Sequence, residues 1–443
     1  MSLVYGDSSE GVSSRLMIFD LPPTEVGIQK IQDVEYRPIA QITNNSPIEY
    51  SIPASGSFYK DLRNMTQKMK IQILHADGTP LVKDEKIGFI NQILQSVWKN
   101  VDIYLEGHLM TSSDTNYAYR SMFQTLLNYG YEAKMSQLQS EMFYKDSAGG
   151  MDANDPTGGG NTGLFARYKL TNESSVVQLE GPLMTDLNYL DRLLINGVRI
   201  GMKFTPNNDS FCLMTSVADT VYKVKIIEHC LKIPHIHVSG GVLVAHDKML
   251  QSVHAKYPLK RTEVKAMSIP QGTINFNELL FQDQIPSRVV IGFVRSEAYN
   301  GSYSYNPFNF HHYLVNFLRL SVNGDAVSGH PLQLKFGDSK NYEYVEPYLN
   351  LYKATQKFGN DVGNDIQFAE YNSGYTLFVA DMDPTLTMMG VDSCFRPDKR
   401  GQLRLEAKFD EALKHTINVI CYAEFQCVFE IDRARNIIFD NSM

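Results

Sequence analysis

Histidine pairs are the first residues in this chain with the type and spacing for chemistry. His235 and His237 alternate in the segment Pro-His-Ile-His-Val, so in a strand both imidazoles would lie on one face and could ligate a metal ion. The sequence places no third ligand beside them, which favours structural histidines over a metal site. His311 and His312 are adjacent and would point to opposite faces of an extended strand, which is a worse geometry for a metal.

Two carboxylates, Asp381 and Asp383, lie two residues apart and are candidates for acid–base chemistry. Such pairs commonly end a strand or begin a turn, so a β-sandwich hydrolase using one of them with a histidine is the weakest function class considered. The glycine-rich run at 158–163 lacks the Gly-Lys-Ser/Thr of a phosphate-binding loop, and we expect no helix after it. The chain has no Gly-x-Ser-x-Gly or Cys-x-x-Cys motif. We therefore predict a protein that is not an enzyme, with no catalytic, metal-binding or cofactor-binding residue.

The charge distribution argues against nucleic-acid binding through the overall field of the protein. The formal net charge is −8, and neither end of the sequence carries an arm rich in lysine or arginine. Two local basic clusters lie at 259–265 and 395–404. We interpret the first as a solvated strand face and the second as a charged turn, with contact to nucleic acid or to an acidic neighbouring surface as the alternative for the second.

Cysteine usage and hydropathy indicate the compartment. The five cysteines are scattered and odd in number, which is atypical of a disulfide framework and typical of a reducing environment. Cys421 and Cys427 fall on one side of a single strand pattern, so we predict that both are small buried residues. The N-terminus has no basic region followed by an apolar run, and the apolar segment 289–294 is far too short to span a membrane. We expect an intracellular, soluble protein without a membrane-spanning segment.

An aromatic-rich loop at 297–313 is the best candidate for a binding surface. Its rings are Tyr299, Tyr303, Tyr305, Phe308, Phe310 and Tyr313. Tyrosines among Asn, Gly and Ser suit protein contact surfaces because they offer a large area at a low entropic cost. Rings that cap a local hydrophobic core would give the same pattern, and the residues favour neither interpretation. A non-catalytic β-sandwich module that recognises protein or carbohydrate through this loop is therefore an alternative function.

Alternating hydrophobicity predicts mostly β-strands to position these residues. Clear strand patterns cover 34–42, 68–74, 403–409 and 415–432. The last is long for one strand, so we expect it to bend or to pass through a β-bulge.

Helices and one long loop lie between the predicted strands. Helical spacing predicts a helix over 116–130 and a short helix within 88–100. The segment 145–163, rich in Gly, Asp and Asn, lacks the apolar residues to bury a core, so we expect an exposed, mobile loop.

One strand-and-turn pattern occurs twice, about half the chain apart, at 100–109 and at 317–327. The predicted core-facing residues are Val101, Ile103 and Leu105 in the first and Leu318, Leu320 and Val322 in the second. The turn glycines at 107 and 324 are 217 residues apart, and the Asn-Tyr pairs that follow at 116 and 341 are 225 apart. A similar offset in the same order is typical of a duplicated domain, and each half is most simply a β-sandwich or jelly roll.

The order of several segments carries a family resemblance. They are "FDLPPTEVGI" at 19–28, "PIEYSIPASGSFYKDL" at 47–62, the segments 100–109 and 116–146, and "YAEFQCVFEIDRARNI" at 422–437. As a series, they resemble the hexon-type major capsid protein of Polinton/Maverick elements and of adintoviruses. The resemblance spans essentially the whole chain and is densest before residue 146 and after residue 416.

This resemblance implies a double jelly roll, two tandem eight-stranded β-sandwiches with short helices in the loops between strands. It implies an N-terminal arm at 1–30, a first jelly roll at 31–238 and a second at 239–443. The chain would homotrimerise into pseudo-hexameric capsomers that tile an icosahedral virion shell around DNA. Its further partners would be penton and minor capsid proteins. It would be made in the host cytoplasm and assembled in the host cell, with the nucleus as a candidate site.

Overall fold

Antiparallel β-strands make up most of the regular structure in the described part of the chain. The computed structural model describes residues 12–19, 21–43, 46–54, 56–111, 116–337, 340–382 and 400–439. Within these ranges, every helix is too short or too polar to cross a membrane.

The first half of the chain supplies three sheets. Its strands are β1 (Ile28–Tyr36), β2 (Ile48–Ile52), β3 (Tyr59–Lys60), β4 (Thr66–His75), β5 (Ile87–Phe89), β6 (Trp98–Leu105), β7 (His108–Leu109), β8 (Val177–Pro182), β9 (Ile200–Pro206), β10 (Leu213–Thr215) and β11 (Tyr222–Val238). One sheet has the order β1-β11-β4-β8, with β3 beside β11, and the facing sheet has the order β2-β9-β6-β7. A small third sheet pairs β10 with β5.

The second half supplies two sheets. Its strands are β12 (Ala255–Ile269), β13 (Asn275–Gln284), β14 (Arg288–Arg295), β15 (Val315–Val322), β16 (Asp325–Ala326), β17 (Leu332–Gln333), β18 (Leu377–Asp381), β19 (Arg400–Phe409), β20 (Ile417–Ile431) and β21 (Ile437–Phe439). One sheet has the order β12-β20-β14-β18, with β21 beside β20. The other has the order β13-β19-β15-β16, with β17 beside β15.

Eight strands of each half correspond in both chain order and sheet position. The pairs are β1 with β12, β2 with β13, β4 with β14, β6 with β15, β7 with β16, β8 with β18, β9 with β19 and β11 with β20. Two sheets of four strands with the same order in each half form two eight-stranded sandwiches. The duplication that the sequence predicts is therefore present in the topology.

The repeated strand-and-turn pattern occupies the same place in both sandwiches. It forms the hairpin β6–β7 in the first half and β15–β16 in the second. The turn residues are Glu106-Gly107 and Asn323-Gly324, and all four have a positive φ. This is the backbone of a type I′ turn, which matches the twist of the flanking strands. The predicted core-facing residues are buried, except that Val322 is only partly buried.

Short helices lie in the connections between strands, as expected. They are α1 (Ile93–Ser96), α2 (Tyr117–Asn128), α3 (Tyr131–Lys134), α4 (Thr162–Thr171), α5 (Asp209–Cys212), α6 (Gly240–Met249), α7 (Ser296–Asn300), α8 (Val345–Lys353) and α9 (Phe368–Tyr371), with 3₁₀ helices at Ser14–Leu16, Gln137–Glu141, Asn172–Ser174 and Asp186–Tyr189. Helices α1 and α2 confirm the predictions for 88–100 and 116–130. Helix α2 links β7 to β8, and α8 links β17 to β18, so both follow the repeated hairpin.

The loop at 145–163 is packed, so the expectation of an exposed, mobile loop is wrong. Met151 and Asn161 are buried, and Asn161 caps α4, although we expected no helix after the glycine-rich run. Glycine makes the close packing possible, because a Cβ at Gly150 would lie 2.0 Å from the carbonyl oxygen of Gly160. The expectation failed because polar side chains, rather than apolar ones, hold most of this loop.

Two strand expectations also differ from the structure. Strand β20 pairs with β12 over fifteen residues without a register shift, so the expected bulge is absent from this ladder. Its partner is equally long, which lets the ladder continue unbroken. The strand expected at 34–42 begins earlier and ends at Tyr36, two residues before Pro38, because proline cannot donate a ladder hydrogen bond.

Candidate functional site

Helix α2 of the first sandwich packs against the second sandwich and forms the centre of an inter-sandwich seam. We define the seam as α2, the loop at 145–163 and the loop at 297–313, packed at the sheet β12-β20-β14-β18. Phe123 of α2 lies with its ring centroid 5.0 Å from that of Phe310, and Tyr119 stacks on Tyr299 at 5.7 Å. A continuous cluster of buried apolar residues therefore extends through both halves.

The aromatic loop caps this shared core and is not an open binding surface. Phe308 and Phe310 are buried, and the four tyrosines of the loop are partly buried. Phe310 packs on Gly292 in the middle of β14, where a Cβ would lie 2.7 Å from a ring carbon. A glycine inside a strand is typical of such a close approach. The core-capping interpretation is confirmed, and the alternative function loses the observation on which it was based.

A buried ion pair crosses the seam. Arg120 Nη2 of α2 donates to Asp186 Oδ1 at 2.6 Å, and the same oxygen accepts the backbone N–H of Thr262 on β12 at 3.1 Å. Both charged side chains are buried. Burial raises the pKa of Asp186 above its usual value, although Arg120 opposes that shift. The pair therefore connects the helix of one sandwich to a strand of the other in a place that water does not reach.

A second polar chain runs from α2 into β20. Gln124 Nε2 donates to the hydroxyl of Tyr422 at 3.2 Å, and that hydroxyl donates to Glu424 at 2.7 Å. Glu424 is also paired with Arg288 of β14. Burial raises the pKa of Glu424, but Arg288 lowers it by more, so the carboxylate stays charged. Every member of this chain is held by a neighbour and none is presented to solvent as a nucleophile.

Carboxylates of the loop at 145–163 bind the second sandwich. Asp146 pairs with Arg167 of α4 at 2.7 Å and accepts from Asn306 Nδ2 at 3.1 Å. Asp152 accepts from the backbone N–H of Asn306 at 2.9 Å and from Asn309 Nδ2 at 2.8 Å. The acidic residues that made this loop look solvated are thus the groups that fix it in the seam.

Lysines complete the seam at the far end of α2. Lys134 Nζ donates to the carbonyl oxygens of Leu126 and Asn364, at 3.3 and 2.6 Å, and burial lowers the pKa of Lys134 to about 7. Lys357 Nζ returns the contact by donating to the carbonyl of Asn128 at 3.0 Å. The two sandwiches are consequently joined by reciprocal lysine–carbonyl bonds in addition to apolar packing.

The predicted histidines are structural in their contacts. His235 is buried in β11, lies 2.9 Å from the hydroxyl of Tyr36 and stacks on Phe58, while His237 lies against the same ring. Burial lowers the pKa of His235 to about 4. No cluster of three metal-ligating side chains was found in the described ranges.

His311 and His312 do not have the expected opposite orientation. Their rings stack at 4.3 Å, because Tyr313 and Leu314 adopt left-handed backbone angles and the segment is not extended. The sequence gives no periodicity that predicts such angles at non-glycine residues.

The remaining candidate residues are dispersed. Asp381 lies at the end of β18 opposite Arg288 of β14, as expected for a carboxylate that ends a strand, and Asp383 lies outside the described residues. In the cluster at 259–265, Arg261 pairs with Glu263 at 3.0 Å and covers the ring of Phe425, which fits the predicted strand face. Of the cluster at 395–404, only 400–404 is described, as the start of β19.

The cysteine prediction is confirmed where the structure describes it. Cys212, Cys230, Cys421 and Cys427 are free and buried. Cys394 lies outside the described residues.

Sequence reasoning missed the residues that build the seam. Arg120 is flanked by Tyr119, Met122 and Phe123 within an otherwise apolar helix face, and a charge in that position indicates a buried pair. Its partner Asp186 lies in a 3₁₀ helix with no motif of its own. The pair is a contact of residues 66 positions apart, so the one-dimensional pattern identifies one member and not the other.

Comparisons with known proteins identify the fold. No protein-family model matches the chain. An uncharacterized protein of Caenorhabditis elegans is 27% identical over 413 residues, which cover 89% of this chain and 93% of that protein.

Solved structures share the architecture at low identity. The cryo-EM structure of the Sputnik virophage matches with a TM-score of 0.62 at 11% identity, covering 99% of this chain and 94% of the other. A quasi-atomic model of the PBCV-1 virus capsid matches at 0.61 and 10%, covering 96% and 100%. The crystal structure of the mavirus major capsid protein matches at 0.52 and 10%, covering 100% and 97%. The chain is an all-β double jelly roll, two tandem eight-stranded β-sandwiches with short helices in the loops between strands.

Proposed function

We propose that this chain is a major capsid (hexon) protein, a structural protein of a virion and not an enzyme. The observation that carries the proposal is the pair of sandwiches with identical strand order, fused by a buried seam into one unit. The similar solved structures belong to a virophage, a virus capsid and a major capsid protein, by their own descriptions. The seam supports a structural role, because its charged groups bind one another across the two halves.

The proposed assembly is a homotrimer that forms a pseudo-hexameric capsomer. Three chains with two similar sandwiches each present six similar units around a threefold axis, so a trimer fills a near-sixfold position in an icosahedral lattice. The division that we propose is an arm at 1–30, a first jelly roll at 31–238 and a second at 239–443. The proposed lineage is that of Polinton/Maverick elements and adintoviruses, with penton and minor capsid proteins as partners around packaged DNA.

Light scattering coupled to size-exclusion chromatography tests the trimer. Three copies of a 50.2 kDa chain give a particle of about 150 kDa. Obligate interfaces bury roughly 2,000 Å² or more, so the trimer should persist on dilution to micromolar concentration. A monodisperse monomer across low and high salt would reject the trimer and with it the capsid function.

Negative-stain electron microscopy of the same fractions tests the tiling. Hexagonal tiles or closed shells are the expected particles. Trimers that never associate further under varied salt and pH would leave a trimeric β-sandwich protein and contradict the capsid assignment.

A further inference from the structure

A groove of about 590 Å³ lies beside α6, where the chain passes from the first sandwich to the second. Its walls include Val242 and Met249 from the region of α6, Leu193 from the segment before β9, and Tyr257 from β12. Helix α6 has no buried residue, and Val253 beside it is 47% exposed. The wall of the groove is therefore apolar and accessible.

The segment before β1 exposes an unusual run of apolar side chains. We call residues 12–26 the arm. Ile18 is 74% exposed, Phe19 93%, Leu21 92% and Val26 75%. Single exposed apolar residues are ordinary on a soluble protein, but a clustered run marks a contact that the isolated chain does not make. The arm consequently needs a partner surface of apolar character.

The arm begins at the groove but does not fold back into it. Gly27 and Ile28, which follow the arm, line one edge of the groove. Leu21 and Pro22 each precede a proline in the sequence Leu-Pro-Pro, so both favour extended backbone. The Glu25 carboxylate accepts the backbone N–H groups of Gly27 and Ile28, at 2.5 and 3.2 Å, which fixes the exit from β1. These two restraints direct the arm away from the groove of its own chain.

Charge favours an arm in the groove as well as apolar character. The groove is lined in part by Arg192, His246, His254 and Lys256. Glu430 of β20 partners His254 and Lys256, so one carboxylate faces this basic side. The sequence through residue 26 has four acidic residues and one arginine, a formal net charge of −3 without the terminus. An acidic, apolar segment thus matches a basic, apolar groove.

We propose that this groove binds the N-terminal arm of a second copy of the chain. Fifteen extended residues reach about 50 Å, which is enough to cross a boundary between neighbouring molecules. Exchange of an identical segment between copies places each arm on a groove equivalent to the one it leaves. The inference rests on the proposed function in that several copies must meet, and it names the contact that would link them.

Disulfide trapping on the full-length chain tests the exchange. One population carries Ile18→Cys and a second, larger by a mass tag, carries Val253→Cys, both with Cys394→Ser. Mild oxidation of the mixture should give a covalent heterodimer of about twice the 50.2 kDa chain mass. The control replaces Val253→Cys by Val221→Cys, which is 63% exposed and lies next to the opposite end of β11 from the groove residue Val238. At least tenfold more heterodimer than in the control is expected.

Three outcomes overturn the proposal. Heterodimer at the level of the Val221→Cys control shows that the arm does not enter the groove. A chain with Ile18→Cys and Val253→Cys that closes on itself at nanomolar concentration shows that the arm occupies its own groove. Flotation of the full-length chain with phosphatidylcholine–phosphatidylserine vesicles, lost in Phe19→Ser and accompanied by no heterodimer, makes a lipid surface the partner.

A groove variant separates this proposal from the capsid function. Val242→Glu should reduce the heterodimer at least tenfold while the mass of about 150 kDa by light scattering stays unchanged. Trimers without trapping reject arm exchange alone. Trapping without trimers rejects the trimer and leaves the arm contact in place.

Discussion

Arg120 and Asp186 form an ion pair of 2.6 Å inside the seam, with side-chain exposures of only 8% and 0%. Among the described residues, Arg120 Nε and Asp186 Oδ2 have no hydrogen-bond partner, so the pair is only partly satisfied. Its attraction offsets the cost of taking both charges out of water only while both partners are present.

Replacing one member of this pair should strongly destabilise the protein. Arg120→Met leaves the Asp186 carboxylate buried without its cation, which costs about 3–5 kcal/mol in comparable sites. The double variant Arg120→Met/Asp186→Leu removes both charges and should recover much of that loss. Urea unfolding followed by tryptophan fluorescence measures the change, since Trp98 is fully buried.

The matched control is an exposed pair in the same sandwich. Arg63 and Asp191 are ion-paired with side-chain exposures of 61% and 84%. Arg63→Ala should change the free energy of unfolding by less than about 1 kcal/mol because water screens both charges. If Arg120→Met costs no more than Arg63→Ala, the seam does not hold the sandwiches together as we infer.

The glycine-rich loop should be intolerant of a single methyl group. A Cβ at Gly150 would meet the backbone oxygen of Gly160, which no side-chain rotation can relieve, and overpacking of this kind costs about 1–3 kcal/mol. Gly241→Ala in α6 is the control, because its Cβ would meet nothing within 4 Å. Thermal unfolding should show a lower midpoint for Gly150→Ala and an equal or higher one for Gly241→Ala; equal loss in both would place the loop outside the folded core.

The outcome for different segments shows what sequence patterns can predict here. The hairpins at 100–109 and 317–327 were predictable because alternation, turn glycine and spacing are local signals. The loop at 145–163 was not, because Asp146 is ordered by Asn306, 160 residues away. Hydrogen bonds of this range leave no periodic trace in the sequence. The same limit applies to the groove, whose walls come from segments near residues 27, 193, 246 and 257.

The two hairpin turns should respond alike to the same change. Gly107 and Gly324 both have positive φ, and a Cβ at either would meet nothing within 4 Å. Gly107→Ala and Gly324→Ala should therefore each cost about 1–2 kcal/mol, from left-handed backbone strain alone. Denaturant midpoints of the two variants measure this. A several-fold difference between them would mean that the turns are not equivalent in the two sandwiches.

Glu141 should give the protein a measurable pH dependence. It is buried beneath β8, where a Cβ at Gly181 would lie 2.5 Å from its Cγ, and its carboxylate accepts from Gln95 Nε2 at 2.8 Å. Burial raises the pKa of Glu141 to about 7 from its ordinary 4.5, against the opposing effect of the glutamine hydrogen bonds. The folded state then binds the proton more tightly than the unfolded chain does.

The sign of the effect follows from this difference in proton affinity. Between about pH 4.5 and 7 the folded state carries the larger share of protons, so the contribution of Glu141 is fully present below 4.5 and is lost as the pH rises to about 7. The shift corresponds to about 3 kcal/mol at most. Glu141→Gln should remove this decline, so its free energy of unfolding relative to the unmodified chain should rise between pH 4.5 and 7.5 in urea titrations. Glu228→Gln is the control, because this exposed carboxylate is paired with Lys70, which lowers its pKa, and its loss should shift the pH slope weakly in the opposite sense. Parallel pH profiles for Glu141→Gln and the unmodified chain would show that Glu141 is already solvated in the folded protein.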